Sequence, residues 1–252
     1  MKTKGLSQEG LKLLACITML IDHIGATLVI RLLQTTSQYE EILYYLYYGM
    51  RGIGRIAFPI YCFLLVEGAA HTRNPKKYTL RLLVGVLLSE IPFDLALSFY
   101  GRIPFDWTSN SVMITLLLGF LMLQGMKKVQ GIWQVVMILP FYLLAELMRT
   151  DYSGMGILLI AVFALTRGRN HEKLLLLLLS WLVLNSGMKN IQIFGIWISL
   201  EAFAIFALIP IFCYDGRKLT NSKAVQWAFY LFYPVHLLLL ALLEMAIFPT
   251  PL

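Results

Sequence analysis

Apolar runs recur along the whole chain, and no other feature restricts its fold as much. Nine are visible, at roughly 11–33, 53–72, 80–98, 111–126, 131–148, 154–166, 172–186, 193–213 and 225–247. Each helical residue adds about 1.5 Å, so about 20 apolar residues cross the core of a bilayer. The fourth, sixth and seventh runs are short by that measure. The connections are short too, which predicts antiparallel packing of consecutive helices. Charged residues make up 14% of the chain, against about 25% in soluble domains. The pattern predicts an all-α, polytopic integral membrane protein of about nine spans, embedded in a lipid bilayer. The first run is too long, and too polar at its centre, for a cleaved signal peptide, so it is expected to be retained.

Charge gives the orientation. The formal net charge is +7, which in a soluble protein would suggest nucleic acid. Here the cations sit in short loops, as the positive-inside rule describes, and no nucleic-acid partner is expected. With the N-terminus inside, the cytoplasmic segments hold Lys2, Lys4, Arg73, Lys76, Lys77, Arg81, Lys127, Lys128, Arg167, Arg169, Lys173, Arg217, Lys218 and Lys223. The outer side holds Arg31, Arg51, Arg102, Arg149 and Lys189. Fourteen against five predicts N-in, C-out. Cys16, Cys62 and Cys213 show no Cys-x-x-Cys spacing, so no metal and no disulfide frame is expected. The stretch 39–50, with Tyr44, Tyr45, Tyr47 and Tyr48, falls on the outer side. It suits a headgroup belt or, in a sharper reading, a platform for an incoming acceptor.

Ionisable groups at membrane depth are costly and mark function by default. His23 lies about 12 residues into the first run and His236 about 11 into the ninth, so both sit roughly 18 Å deep. Two imidazoles at one depth can share a site. His236 also has a plainer reading, a bond to a carbonyl freed by Pro234. Glu90 and Asp94, four apart with Pro92 between, share one face of the third run. They are either part of a site or structural partners of Arg55 or a tyrosine. Glu67, before Gly68, and Glu201, deep in the eighth run, carry the same ambiguity. Adjacent residues on a helix point about 100° apart. His23 is therefore expected to line a cavity while Asp22 ties its helix to a neighbour. Eleven steps of about 100° bring Lys12 back onto the face of His23, roughly 16 Å away. A cation at the cytoplasmic end and an imidazole at the midplane could hold a long ligand with an anionic tail and a reactive head. The alternative is a snorkelling lysine and an unrelated histidine.

Three classes follow from these residues: an enzyme working at the midplane, a proton-coupled transporter using buried Glu, Asp and His, and a structural subunit. The missing internal repeat speaks against the transporter. The buried charges speak against the structural subunit.

The motifs "IDHIG", "GRIAFPIYCFLLVEG", "LLSEIPFDLAL", "QIFGIWISL", "CYDGRK" and "LFYPVHLLLL" occur in an order that resembles the TraX family, named after the conjugative pilin N-acetylase. The likeness runs from about residue 10 to 240. That family is similar in turn to membrane acyltransferases whose first helix carries Arg or Lys, ten residues, then His. Lys12 and His23 have that spacing. "YDGRK" departs slightly from the family's flavour in that loop. The resemblance implies one transmembrane acyltransferase-like domain over 1–252, in a bacterial inner membrane. It implies acetyl-CoA as a donor entering from the cytoplasm, no metal, and transfer to a peptide amine or glycan hydroxyl, with His23 catalytic. A neutral imidazole is a suitable general base. Asp22, Glu67, Glu90 or Asp94 could tune it, and Tyr233, with His236, could serve the oxyanion. Lys12, Arg73, Lys76 and Lys77 lie where the phosphates of CoA would dock.

Overall fold

The computed structural model describes residues 5–97, 103–168, 174, 175, 178, 179, 190–193, 196–220 and 222–249. Helix α1 (Gln8–Ile24) runs through a π-helical segment (Gly25–Val29) into α2 (Ile30–Thr35). Then come α3 (Glu40–Gly54), α4 (Ala57–His71), α5 (Pro75–Leu97), α6 (Val112–Met126), α7 (Ile132–Val136), α8 (Ile138–Leu147) and α9 (Ser153–Thr166). A hairpin of β1 (Asn190–Ile193) and β2 (Ile196–Ser199) leads to a 3₁₀ segment (Leu200–Ala207), α10 (Leu208–Phe212) and α11 (Lys223–Ile247). The chain forms two compact units. One holds Met1–Tyr61, Leu95–Arg102 and Ser186–Leu252, the other Cys62–Asp94 and Ile103–Asn185.

In the first unit, α1 starts beside the start of α11. Ser7 caps α1, its Oγ accepting from Gly10 N at 3.1 Å. The preceding strand-like segment lies against the 213–220 loop. Leu6 N donates to the Cys213 carbonyl at 2.6 Å and Gln8 N to that of Arg217 at 2.9 Å, while Glu9 Oε2 accepts from Leu219 N at 2.8 Å. The loop turns at Gly216, whose φ of +77° suits a residue without a Cβ. Bonds from the Arg217 backbone N–H and guanidinium hold the Asp215 carboxyl below the usual carboxylate range. From that shared end the two helices run in the same direction. His23 meets His236, and eight residues further along each helix Arg31 meets Glu244.

The described residues contain three helices long and apolar enough to cross a membrane, Gln8–Thr35, Glu40–His71 and Lys223–Ile247. Shorter apolar helices are Val112–Met126, Ile132–Leu147, Ser153–Thr166 and Leu200–Phe212. Membrane residence fits these segments, but they do not establish nine spans. The seventh expected run lies almost wholly outside the described residues, as do Arg102, Arg169, Lys173 and Lys189.

Three expectations need correction. The tyrosine stretch 39–50, left outside the expected runs, is helical: α3 begins at Glu40, and the tyrosine rings contact one another at 4.6–5.5 Å between centroids. The helical second segment therefore starts well before residue 53. The eighth run is not one helix from 193. Residues Asn190–Ile193 pair antiparallel with Ile196–Ser199 in an otherwise all-α fold. Alternating isoleucines and a tryptophan favour a pleated surface, and a short apolar run does not by itself distinguish strand from helix.

In the second unit, α6, α8 and α9 share a core in which Phe120, Met122, Ile157, Leu159 and Ile160 are fully buried. A Cβ at Gly119 would overlap the Ile160 side chain, so glycine there sets how closely α6 and α9 approach. Asn74 caps α5, accepting from Lys77 N at 2.9 Å, with Pro75 in the first helical position. Lys127 Nζ donates to the Ala69 carbonyl in the last turn of α4, where a helix end favours a cation.

Candidate active site

The first unit gathers most of the polar groups singled out in the sequence. His23 sits on the last turn of α1 and is 8% exposed; His236, on α11, is 5% exposed. Nδ1 of His23 lies 2.6 Å from Nε2 of His236, and the ring planes differ by only 7°. Nδ1 of His236 in turn lies 2.6 Å from the Phe232 carbonyl. A carbonyl can only accept, so His236 carries its proton on Nδ1 and offers Nε2 as an acceptor. His23 must then donate from Nδ1, which leaves the lone pair of its Nε2 facing away from the pair. The carbonyl belongs to Phe232. It is not the Tyr230 carbonyl whose usual N–H donor Pro234 lacks, so His236 does not satisfy a carbonyl freed by that proline.

The backbone around His23 is unusual. The π segment begins two residues later, and Thr27 Oγ1 donates to the His23 carbonyl at 2.7 Å. Single π turns inside α-helices recur at functional sites. Tyr233, 5% exposed, points its ring at both histidines, with centroids 6.0 Å from His23 and 5.8 Å from His236 in edge-on geometry.

Asp22 faces α3. Its Oδ2 accepts from Arg51 Nη1 at 2.8 Å, and Oδ1 lies 3.9 Å from Arg55 Nη2. Arg55 Nη1 reaches Glu201 on the 3₁₀ segment at 3.3 Å. Two guanidinium groups thus face two carboxylates. Gly54 makes this approach possible, since a Cβ there would overlap the Asp22 side chain. From sequence Arg51 counted only as a charge of the outer side, not as a site residue. Its spacing of four from Arg55 on one helix face was the available signal.

Lys12 is half-buried near the start of α1, with Nζ 5.4 Å from the centre of the Phe229 ring of α11. On the same stripe, Cys16 Sγ lies 3.2 Å from the Tyr61 hydroxyl.

Glu67, Glu90, Asp94, Arg73, Lys76 and Lys77 belong to the second unit. Glu90 accepts from Ser111 N and Oγ, and Asp94 Oδ2 from Asp106 N at 3.0 Å. Their partners are therefore neither Arg55 nor a tyrosine. Glu67 is forked by Arg167, at 2.7 Å from Nε and 3.5 Å from Nη2, with Gly68 against Tyr78. Arg73, Lys76 and Lys77 are exposed on the turn into α5.

Comparison with known proteins agrees with the motif order. A probable fimbrial assembly protein FimC, serogroup H1, of Dichelobacter nodosus is 28% identical over 247 residues, covering 93% of this chain and 94% of that protein. No solved structure matches. The family profile described as TraX protein matches residues 7–244, which spans both units and every group named above, and the chain belongs to the TraX family.

Proposed function

We propose that this protein is a multi-pass acetyltransferase of the bacterial inner membrane, which moves an acetyl group from cytoplasmic acetyl-CoA to an amine or hydroxyl acceptor. A pilin-like peptide N-terminus and a cell-surface glycan are the two acceptor classes. The observation that carries this reading is the oriented pair of histidines. The Phe232 carbonyl fixes the tautomer of His236, His236 fixes that of His23, and Nε2 of His23 is left as a base. This is the logic of a base held by a third group in hydrolase triads, with a second imidazole in place of the carboxylate.

In the reaction, the acceptor nitrogen or oxygen attacks the thioester carbonyl carbon and gives its proton to His23 Nε2. The carbonyl pair moves onto oxygen. On collapse the C–S bond breaks, and His23 returns the proton to the departing sulfur. His236 takes part by orienting the ring and by bearing some of its transient positive charge. Lys12, on the His23 face about 16 Å away along the helix, is the group to hold the anionic end of CoA. Arg73, Lys76 and Lys77 are further candidates for that role. Tyr233 supports the imidazole pair with its ring edge.

The decisive experiment uses purified full-length protein in lipid nanodiscs with acetyl-labelled acetyl-CoA. Slow release of CoA thiol to water, abolished by His23→Ala, is the expected result. No His23-dependent turnover with any amine, hydroxyl or water acceptor, together with no CoA binding, would overturn the reading.

A further inference from the structure

The carboxylates and guanidinium groups beside the histidine pair are not equivalent. Arg55 spans Asp22 and Glu201, and its side chain is 8% exposed. Arg51 is 14% exposed, and among the described residues it makes one hydrogen bond, from Nη1 to Asp22. Its Nε and Nη2 donors are left for something else. Its stem runs beside Gly25, at the start of the π segment, where a Cβ would stand 3.9 Å from Arg51 Cδ. Asp22, which Arg51 holds at 2.8 Å, immediately precedes His23 in the chain.

The charge count is informative. At rest two guanidinium groups balance two carboxylates, and both imidazoles are neutral. When a proton reaches His23, a positive charge appears in a buried place. A negative charge must appear within reach of a donor if the site is to stay neutral. We infer that Arg51 is the anion subsite of this centre: its uncommitted edge receives the acetyl carbonyl oxygen as that oxygen becomes an oxyanion. Asp22 and Gly54 hold the guanidinium in place, so little reorganisation is needed at the moment of reaction. This rests on the acetyl-transfer reading above. It assigns to Arg51 the role that Tyr233 was given from sequence.

The test uses acetyl-CoA with water as acceptor, so no acceptor anion is present to be bound. Thiol release by the full-length protein in nanodiscs is compared with equilibrium binding of CoA. Arg51→Ala should slow release by about 10²–10³ and leave CoA affinity within about twofold. Arg51→Lys should recover part of the rate. Guanidinium ion at tens of millimolar should restore Arg51→Ala by about tenfold, as an added donor filling the vacated place, and should leave His23→Ala dead. The double variant Asp22→Asn, Arg51→Ala removes both members of the ion pair and guards against loss of fold; it should be as slow as Arg51→Ala. Release at the wild-type rate in a folded Arg51→Ala protein would overturn the assignment while leaving His23 as base. Loss of CoA binding in that variant, without guanidinium rescue, would overturn it in favour of a structural or donor-binding role. Wild-type protein with no His23-dependent release would remove the acetyl-transfer reading itself and this assignment with it.

Discussion

Asp22, Arg31, Arg55, Glu201 and Glu244 of the first unit find charged partners on other helical segments, whereas Glu90 and Glu146 of the second find N–H groups at helix starts. Glu90 accepts from Ser111, the N-cap of α6, and Glu146 from Gly154 N, in the first turn of α9. A carboxylate at a helix N-terminus satisfies orphan donors and meets the positive end of the dipole. Its job is complete once two elements are joined. A side-chain network between helices does something more, since it fixes the direction of each group, as catalysis demands. Glu90 and Glu146 thus tie elements together through helix starts, while Asp22, Glu201 and Glu244 are held by guanidinium groups.

That contrast can be broken most readily at His23. His23→Ala should leave the protein folded and able to bind acetyl-CoA, with transfer slowed by about 10²–10⁴. His23→Gln should be nearly as slow, since an amide cannot take the proton. His236→Ala should cost less, and its pH–rate profile should shift because the ring of His23 loses its orienting partner. A His23→Ala protein with near-normal turnover would erase the distinction between the units. The next largest effect is on stability. Arg31 and Glu244 form a 2.8 Å ion pair with both side chains buried. Arg31→Ala should destabilise by about 3–5 kcal/mol because Glu244 is left buried. Arg31→Met with Glu244→Leu should recover most of it in detergent unfolding curves.

Smaller effects come from the second unit and from the surface. Ser111→Ala removes the hydroxyl that donates to Glu90 and should cost about 1–3 kcal/mol, with kcat and KM unchanged. A loss of kcat there would give the second unit a chemical role. Lys12→Ala should weaken CoA binding several-fold at low salt and less at high salt, as a partly ionic contact requires. Equal affinity at both ionic strengths would reduce Lys12 to a snorkelling residue.

The sequence already carried much of this. The apolar runs locate most of the helices. Counting residues from the helix starts sets His23 and His236 at one level, and two parallel helices with the same rise place their ring nitrogens 2.6 Å apart. Other things could not be read. Arg31 and Glu244 gave no local sign of each other, because ion pairing over so great a separation leaves no periodic trace. Arg51 was hidden because it fell just before the run expected to start at 53, whereas its helix begins at Glu40. The partners of Glu90 and Asp94, which are Ser111 and the Asp106 N–H, could not be read either. Buried carboxylates look alike in sequence, whether they cap a helix or face a substrate.

The parallel pairing of α1 with α11 also has a consequence for how the protein is made. His23 and His236 are 213 residues apart. At roughly 5–20 residues per second, the first helix waits roughly 10–40 s in the membrane before its partner leaves the ribosome. Asp22 is relieved early, because Arg51 follows it by only 29 residues. Arg31 and Glu244 can pair only once the last helix arrives. Membrane insertion is therefore where an Arg31 or Glu244 variant should fail first, as a nascent chain degraded before it is finished. A chain split before Ser186, where the last segment of the first unit begins, and co-expressed would shorten that wait, and its yield would report how much the delay costs.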